Sequence, residues 1–212
     1  MQNALYTTLV AAKSWLRIQN SLGATLQFST YQTLIVEVMD KDLTFDVIIE
    51  IPKGSRNKYE YDPVKRMIRY DRMIFSSMHY PSDYGFIPET LSDDGDPLDV
   101  LVLVSEPTFP GCLIEVRPVG VFNMRDEKGK DEKLLCVPVS DPIWNKIHKL
   151  EQVNAHLQLE ISHFFEVYKD LERKKVSVEG WEDENKAREI YFACKKKYEE
   201  KQKDVFSIRP GM

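Results

Sequence analysis

The chain has 212 residues, enough for one well-cored domain and short for two. Its composition is that of a soluble globular protein, with 42% hydrophobic, 30% charged and 11% aromatic residues. A formal net charge of −5 provides no overall basic field to recruit nucleic acid or an anionic membrane, and no apolar run is long enough to span a bilayer.

Residues 1–43 carry Lys13 and Arg17 but no acid until Glu37, and their hydrophobic periodicity is mixed. The stretch ALYTTLVAA is partly apolar, yet no small-residue cleavage pattern follows it. From Thr44 the patterns sharpen. TFDVIIEIP reads as a strand ending at Pro52, and in KGSRNKYEYD the residues Gly54 and Asn57 suggest a turn. RMIRYDRMIF is a second strand-like run. Val100–Val104, CLIEVRPVGVFNM and KLLCVPV follow, each bounded by Pro, Gly or Asp, and short strands at this spacing predict a small antiparallel barrel. The last third is helical: Leu157, Ile161, Phe164, Phe165 and Tyr168 recur at helical spacing, as do Ala187, Ile190, Tyr191, Cys194 and Tyr198. EGW at 179–181 reads as the turn between these helices. Cys112, Cys136 and Cys194 are odd in number and form no CxxC pair, so they suit a reducing cytoplasm as small core residues.

LSDDGDPLDVLVL sets Asp93, Asp94, Asp96 and Asp99 before the apolar run Val100–Val104. A turn explains one or two of these acids, because Asp bonds its own backbone there. An EF-hand fails: counting from Asp94, the sixth position is Asp99 rather than Gly and the twelfth is Ser105 rather than Glu. A cage for hard divalent cations explains all of them, since a metal would cancel their repulsion. On this stretch alone, turn and cage both stand. Acids recur elsewhere near strand ends: Glu50, Glu60, and Asp126, Glu127, Asp131 and Glu132 in NMRDEKGKDEK. A barrel could gather them at one mouth. Beside each group sits a cation or a tyrosine: Lys58, Arg72, Lys133, Tyr80, Tyr84 and the pair Tyr168–Lys169. Together they describe a site for a substrate dense in negative charge, with metals held by carboxylates and Lys, Arg and Tyr reaching phosphate oxygens.

EIP-x-KYE-x-D, DYGFIPETL, DGDPLDVLVL, RPVGVF-x-M-x-DE-x-G-x-DEK and HFFE-x-YKDLE followed by EGW resemble the soluble family I inorganic pyrophosphatases of bacterial type, from about Thr44 to about Glu200. The resemblance implies a mainly β fold with α, a five-stranded OB-like barrel with packed C-terminal helices. It further implies a cytoplasmic homo-oligomer, a hexamer, that splits pyrophosphate into two orthophosphates. The resemblance also implies several Mg2+ ions per subunit, with Mn2+ or Zn2+ as substitutes. Asp94, Asp99, Asp126 and Asp131 resemble the principal metal ligands, Glu50 and Glu60 the outer carboxylates, and Glu127 a lesser member of that set. Asp96 resembles the base that takes a proton from the attacking water, with Tyr84, Arg72 and Lys58 as further catalytic groups. Lys58, Arg72, Tyr84, Lys133, Tyr168, Lys169 and Tyr80 resemble the substrate-binding set. Each of these positions holds the residue type that the family pattern expects.

The domain is expected over 44–203, followed by a short tail at 204–212. Residues 1–43 exceed what the bacterial members carry before the EIP strand. They read either as an over-extended frame preceding a start at Met39, or as an appendage that packs on the barrel or directs the chain to an organelle. Three rivals stay open at the level of sequence: an OB-fold nucleic-acid module, a non-catalytic divalent-cation buffer, and a metal phosphohydrolase acting on a nucleotide or phosphate ester. The acidic strand ends argue against the first, because unloaded carboxylates repel a phosphate backbone.

Overall fold

The computed structural model describes residues 43–127 and 129–207, with side chains described as far as 203. The expectations for residues 1–42 and for the last five residues lie outside the described residues.

Among the described residues, eight strands and two α-helices form in the order β1 (Phe45–Ile51), β2 (Asn57–Asp62), β3 (Met67–Met73), β4 (Asp83–Ile87), β5 (Leu98–Val102), β6 (Leu113–Asp126), β7 (Gly129–Pro138), α1 (Ala155–Val167), β8 (Ser177–Glu182) and α2 (Glu184–Ser207). Strands pair in the order β1-β4-β5-β7-β6, and β6 returns to β1, so five strands close into a ring; β8 adds to β6, and β2–β3 is a separate hairpin. Closure removes the sheet edges that would otherwise invite pairing with another chain. This is the five-stranded OB-like barrel with C-terminal helices that the resemblance implies.

Three local expectations are corrected. The ring is not wholly antiparallel, because β5 and β7 run parallel, Asp99 opposite Lys133 through Val102 opposite Cys136. The turn after β1 ends before Asn57, and NKYEYD is strand β2 paired with β3. EGW lies within strand β8, because the long β6 extends past the ring and offers a ladder from Val121 to Arg125.

β5 shows why its apolar run is unbroken. Val100 and Val102 join a core with Val47, Ile49, Ile87, Val121 and Leu134, drawn from every ring strand and closed by Ala187, Ile190 and Tyr191 of α2. Leu101 and Leu103 face the opposite way, into a second core with Phe122, Met124, Leu135 and Val137, closed by Ile161, Phe164 and Phe165 of α1. A strand buried on both faces has no place for alternating polar residues. At about 25 cal/mol per Å2 of apolar surface, each buried Leu or Phe contributes about 1.5–3 kcal/mol. Gly85 on β4 lets β1 approach: a Cβ there would press on the Ile48 carbonyl, with Ile49 Cα only 2.9 Å away.

The two helices start where side chains cap them. Asn154 accepts a hydrogen bond from His156 N at 2.8 Å ahead of α1, and Asp183 accepts from Lys186 N at 3.0 Å ahead of α2. No helix among the described residues is long and apolar enough to cross a membrane. Cys136 and Cys194 are buried, Cys112 is half-buried, and all three are free thiols.

Candidate active site

Strand parity decides which acids meet. Asp99 shares a face with Leu101, Asp131 and Lys133 with Leu135, and Asp126 with Phe122 and Met124, so all four polar groups lie on the outer face covered by α1. The acids therefore gather on that face toward the strand ends, not inside the barrel's mouth.

Lys133 is the centre of the group. Its side chain is 3% exposed. Nζ donates to Asp99 Oδ2 at 2.7 Å, Asp131 Oδ1 at 2.7 Å and Tyr84 Oη at 3.2 Å. Tyr84 in turn donates to Asp99 Oδ2. The ammonium also lies 5.3 Å from the Tyr84 ring centre and 5.5 Å from that of Phe165. Burial opposes the Lys133 charge, but the Asp99 and Asp131 carboxylates outweigh it and hold its pKa well above the usual lysine value. Burial pushes the Asp131 carboxyl up; Lys133 pulls it back and the Asp99 charge adds to the rise. Burial likewise raises the phenols of Tyr80 and Tyr84, which keeps both as neutral donors.

A second pair stands beside this one. Lys169, just after α1, donates to Asp126 Oδ2 at 2.8 Å and approaches Glu127 at 3.6 Å. Tyr168 stacks on Phe164 with ring centres 5.3 Å apart, and Phe164 lies 4.9 Å from Tyr80. These aromatic contacts fix the end of α1, and so Lys169, against the sheet.

The β2–β3 hairpin supplies the third group. Lys58 pairs with Glu60 and lies 3.5 Å from Asp71, while Arg72 pairs with Asp71 and donates through Nε to Glu172 at 3.0 Å. Adjacent strand residues ordinarily face opposite ways. Here Lys58 pairs with Arg72 and Tyr59 with Tyr70, which leaves Asp71 as the extra residue of a β-bulge. Glu50 is also a bulge residue, since Ile49 pairs with Gly85 and Ile51 with Tyr84. Its Oε1 accepts from Tyr61 N at 2.6 Å. Burial raises its pKa from 4.5 to about 7; the Tyr61 hydrogen bond opposes this, and the Asp99 and Glu60 charges reinforce it. Lys58 holds the Glu60 carboxyl below its ordinary value.

Asp94 and Asp96 are exposed on the turn ahead of β5. Asp94 Oδ1 accepts from Asp96 N at 3.1 Å, and Gly95 takes a φ of +91°, so part of the cluster does serve the turn. The structure thus joins Asp99, Asp131, Lys133 and Tyr84; Asp126, Glu127 and Lys169; and Lys58, Glu60 and Arg72. Asp71 and Glu172 enter the site without having been singled out from sequence. The bulge that turns Asp71 inward depends on pairing register, and Glu172 meets Arg72 across 100 residues of chain.

Among the described residues, no three Asp, Glu, His or Cys side chains converge as a metal-binding group. The donor chemistry nevertheless fits hard divalent cations: every candidate ligand is a carboxylate, and Asp99, Asp131 and Asp126 are each held by a lysine ammonium. Carboxylates that raise one another's pKa gain from any added positive charge. The arrangement suits a ligand dense in negative charge, with cationic and phenolic donors interleaved with carboxylate oxygens.

The family model described as inorganic pyrophosphatase matches residues 47–199. An inorganic pyrophosphatase of Methanosarcina mazei is 60% identical over 157 residues, covering 74% of this chain and 93% of its own length. One from Streptomyces coelicolor is 59% identical over 138 residues, covering 65% of this chain and 84% of its own. Among solved structures, the inorganic pyrophosphatase of Thermus thermophilus superposes with a TM-score of 0.72 at 46% identity, covering 74% of this chain and 91% of that one. The chain belongs to the inorganic pyrophosphatase family.

Proposed function

We propose that the α1-covered face hydrolyses inorganic pyrophosphate to two orthophosphates, with divalent metal ions, Mg2+ foremost, held by its carboxylates. The chain is an enzyme, a diphosphate hydrolase. The observation that carries the assignment to this face is the buried Lys133 ammonium bridging Asp99 and Asp131 under Tyr84, beside the Lys169–Asp126 pair.

In this reading Asp94, Asp99, Asp126 and Asp131 would hold the ions, with Glu50, Glu60 and Glu127 ordering the surrounding water. Bound ions would cancel charge on pyrophosphate and lower the pKa of the attacking water. Asp96, on its exposed turn, would accept the proton that the attacking water loses as it bonds to phosphorus. Lys133 and Lys169, which here hold Asp99, Asp131 and Asp126, would be the cations that meet phosphate oxygens. Lys58 and Arg72 meet the substrate from the hairpin, and neutral Tyr80, Tyr84 and Tyr168 donate hydrogen bonds. Preorganised cations facing charge that builds on leaving and transferred phosphates supply the largest share of the rate.

Residues 44–203 form the catalytic domain in this proposal, and the free thiols support a reducing, cytoplasmic setting. The functional unit is a homo-oligomer, a hexamer of 24.7 kDa chains, which light scattering would weigh. Mn2+ or Zn2+ would substitute for Mg2+ through the same oxygen donors. Calorimetric titration with Mg2+ tests the site: Asp99→Asn should lose most of the binding heat of the parent protein. Unchanged Mg2+ binding in that variant would refute the assignment.

A further inference from the structure

We infer that Glu172 is a positioning residue for the reaction: it fixes the Arg72 guanidinium toward the phosphate site, an inference that rests on the role proposed for Arg72. Glu172 ends a short 3-10 turn, Asp170–Glu172, that begins immediately after Lys169. Its side chain is only 7% exposed, unusual for a glutamate on so short a turn. Its Oε1 accepts from Arg72 Nε at 3.0 Å, and its Oε2 lies 3.9 Å from Lys174 Nζ. Lys174 continues to Glu127 at 3.1 Å, and Glu127 to Lys169 at 3.6 Å. Alternating charges therefore connect the hairpin's Arg72 to the Asp126–Glu127 turn and back to Lys169.

The geometry has a specific consequence for Arg72. A guanidinium is planar, so two anchors on different nitrogens fix its orientation as well as its place. Glu172 holds Nε and Asp71 holds Nη1, which leaves Nη2 without a hydrogen-bond partner among the described residues. Asp71 belongs to the same hairpin and moves with Arg72. Glu172 is the anchor from outside, following the α1 end that carries Tyr168 and Lys169. Without it the arginine keeps its charge and its Asp71 contact but loses its register against the other phosphate ligands. An ångström of misplacement is enough to reduce turnover substantially.

A double-mutant cycle on kcat/KM for pyrophosphate, with melting temperatures measured alongside, tests this. Glu172→Ala should lower kcat/KM by about tenfold, and Glu172→Gln by about two- to threefold because its amide oxygen still accepts from Nε. Arg72→Ala should lower it by about a hundredfold, and the double variant Arg72→Ala/Glu172→Ala should match Arg72→Ala alone if the Arg72 contact, rather than the longer Lys174–Glu127 link, carries the effect of Glu172. Losses that multiply in the double variant, or a Glu172→Gln as impaired as Glu172→Ala, would overturn the role of Glu172 while leaving Arg72 in place. An Arg72→Ala enzyme with full kcat/KM would overturn both readings at once.

Discussion

Replacing Lys133 with methionine probes the electrostatics of the site directly. Methionine keeps an apolar stem against Tyr84 and Phe165 and removes only the ammonium. Asp99 Oδ2 and Asp131 Oδ1 each lie 2.7 Å from Nζ, so they are no more than twice 2.7 Å apart. Two unit charges about 5 Å apart repel by about 3 kcal/mol at an effective dielectric of about 20. Truncating one partner of a buried ion pair typically costs about 3–5 kcal/mol, and the lower end applies here because Asp99 and Asp131 are 31% and 24% exposed. A domain of this size loses about 2–4 °C per kcal/mol. Lys133→Met should therefore melt about 6–12 °C below the parent protein in EDTA at neutral pH. Millimolar Mg2+ should raise its melting temperature by more than it raises the parent's, because the ion replaces the missing charge. Differential scanning calorimetry of both proteins, with EDTA and with Mg2+, measures all four values. A variant as stable as the parent in EDTA, or one that gains no more than the parent from Mg2+, would refute the reasoning.

Further outcomes follow from single residues. Glu50 has its folded pKa raised from 4.5 to about 7, so its contribution is fully present below pH 4.5 and is lost as pH rises through 7. Urea melts in EDTA should accordingly show stability falling by up to about 3 kcal/mol across that window, and Glu50→Gln should flatten the slope; a profile identical in both proteins would count against the assignment. Gly85→Ala places a methyl group against the Ile48 backbone and should cost about 3 kcal/mol or more by chemical denaturation, whereas a neutral result would contradict the close β1–β4 approach. Phe165→Ala empties a fully buried position beneath Lys133 and should cost about 3–5 kcal/mol in the same measurement.

The parts of the fold legible in the sequence were those with strong local periodicity. Val100–Val104, the long β6 and both amphipathic helices announce themselves because each buries a continuous face. β4 does not: DYGFI is short, interrupted by Gly85 and flanked by Pro81 and Pro88, and it is a strand because β1 and β5 pair with it on either side. EGW reads as a turn for the same reason, its ladder to β6 being set by a partner more than fifty residues away. The acids and bases of the candidate site were legible as residue types near strand ends, but their grouping was not. Whether Asp99 meets Lys133 depends on a parallel pairing, and whether Asp71 turns toward Lys58 depends on a bulge. Neither leaves a mark in local composition. Lys133 shows the point most clearly: its sequence marks it as a cation beside the acids of NMRDEKGKDEK, but not as the buried cation on which the carboxylates converge.

In the proposed mechanism this face hydrolyses pyrophosphate with the help of divalent metal ions, and Asp96 of the adjoining turn before β5 is the proton acceptor. Orthophosphate release from pyrophosphate, measured with Mg2+, with EDTA and with Asp96→Ala, tests it most directly, with ATP as a parallel substrate. Release should be rapid, require Mg2+, disappear in EDTA, fall by roughly two orders of magnitude or more in Asp96→Ala, and be far slower from ATP. Turnover of pyrophosphate that survives EDTA, or that is undiminished in Asp96→Ala, would contradict it.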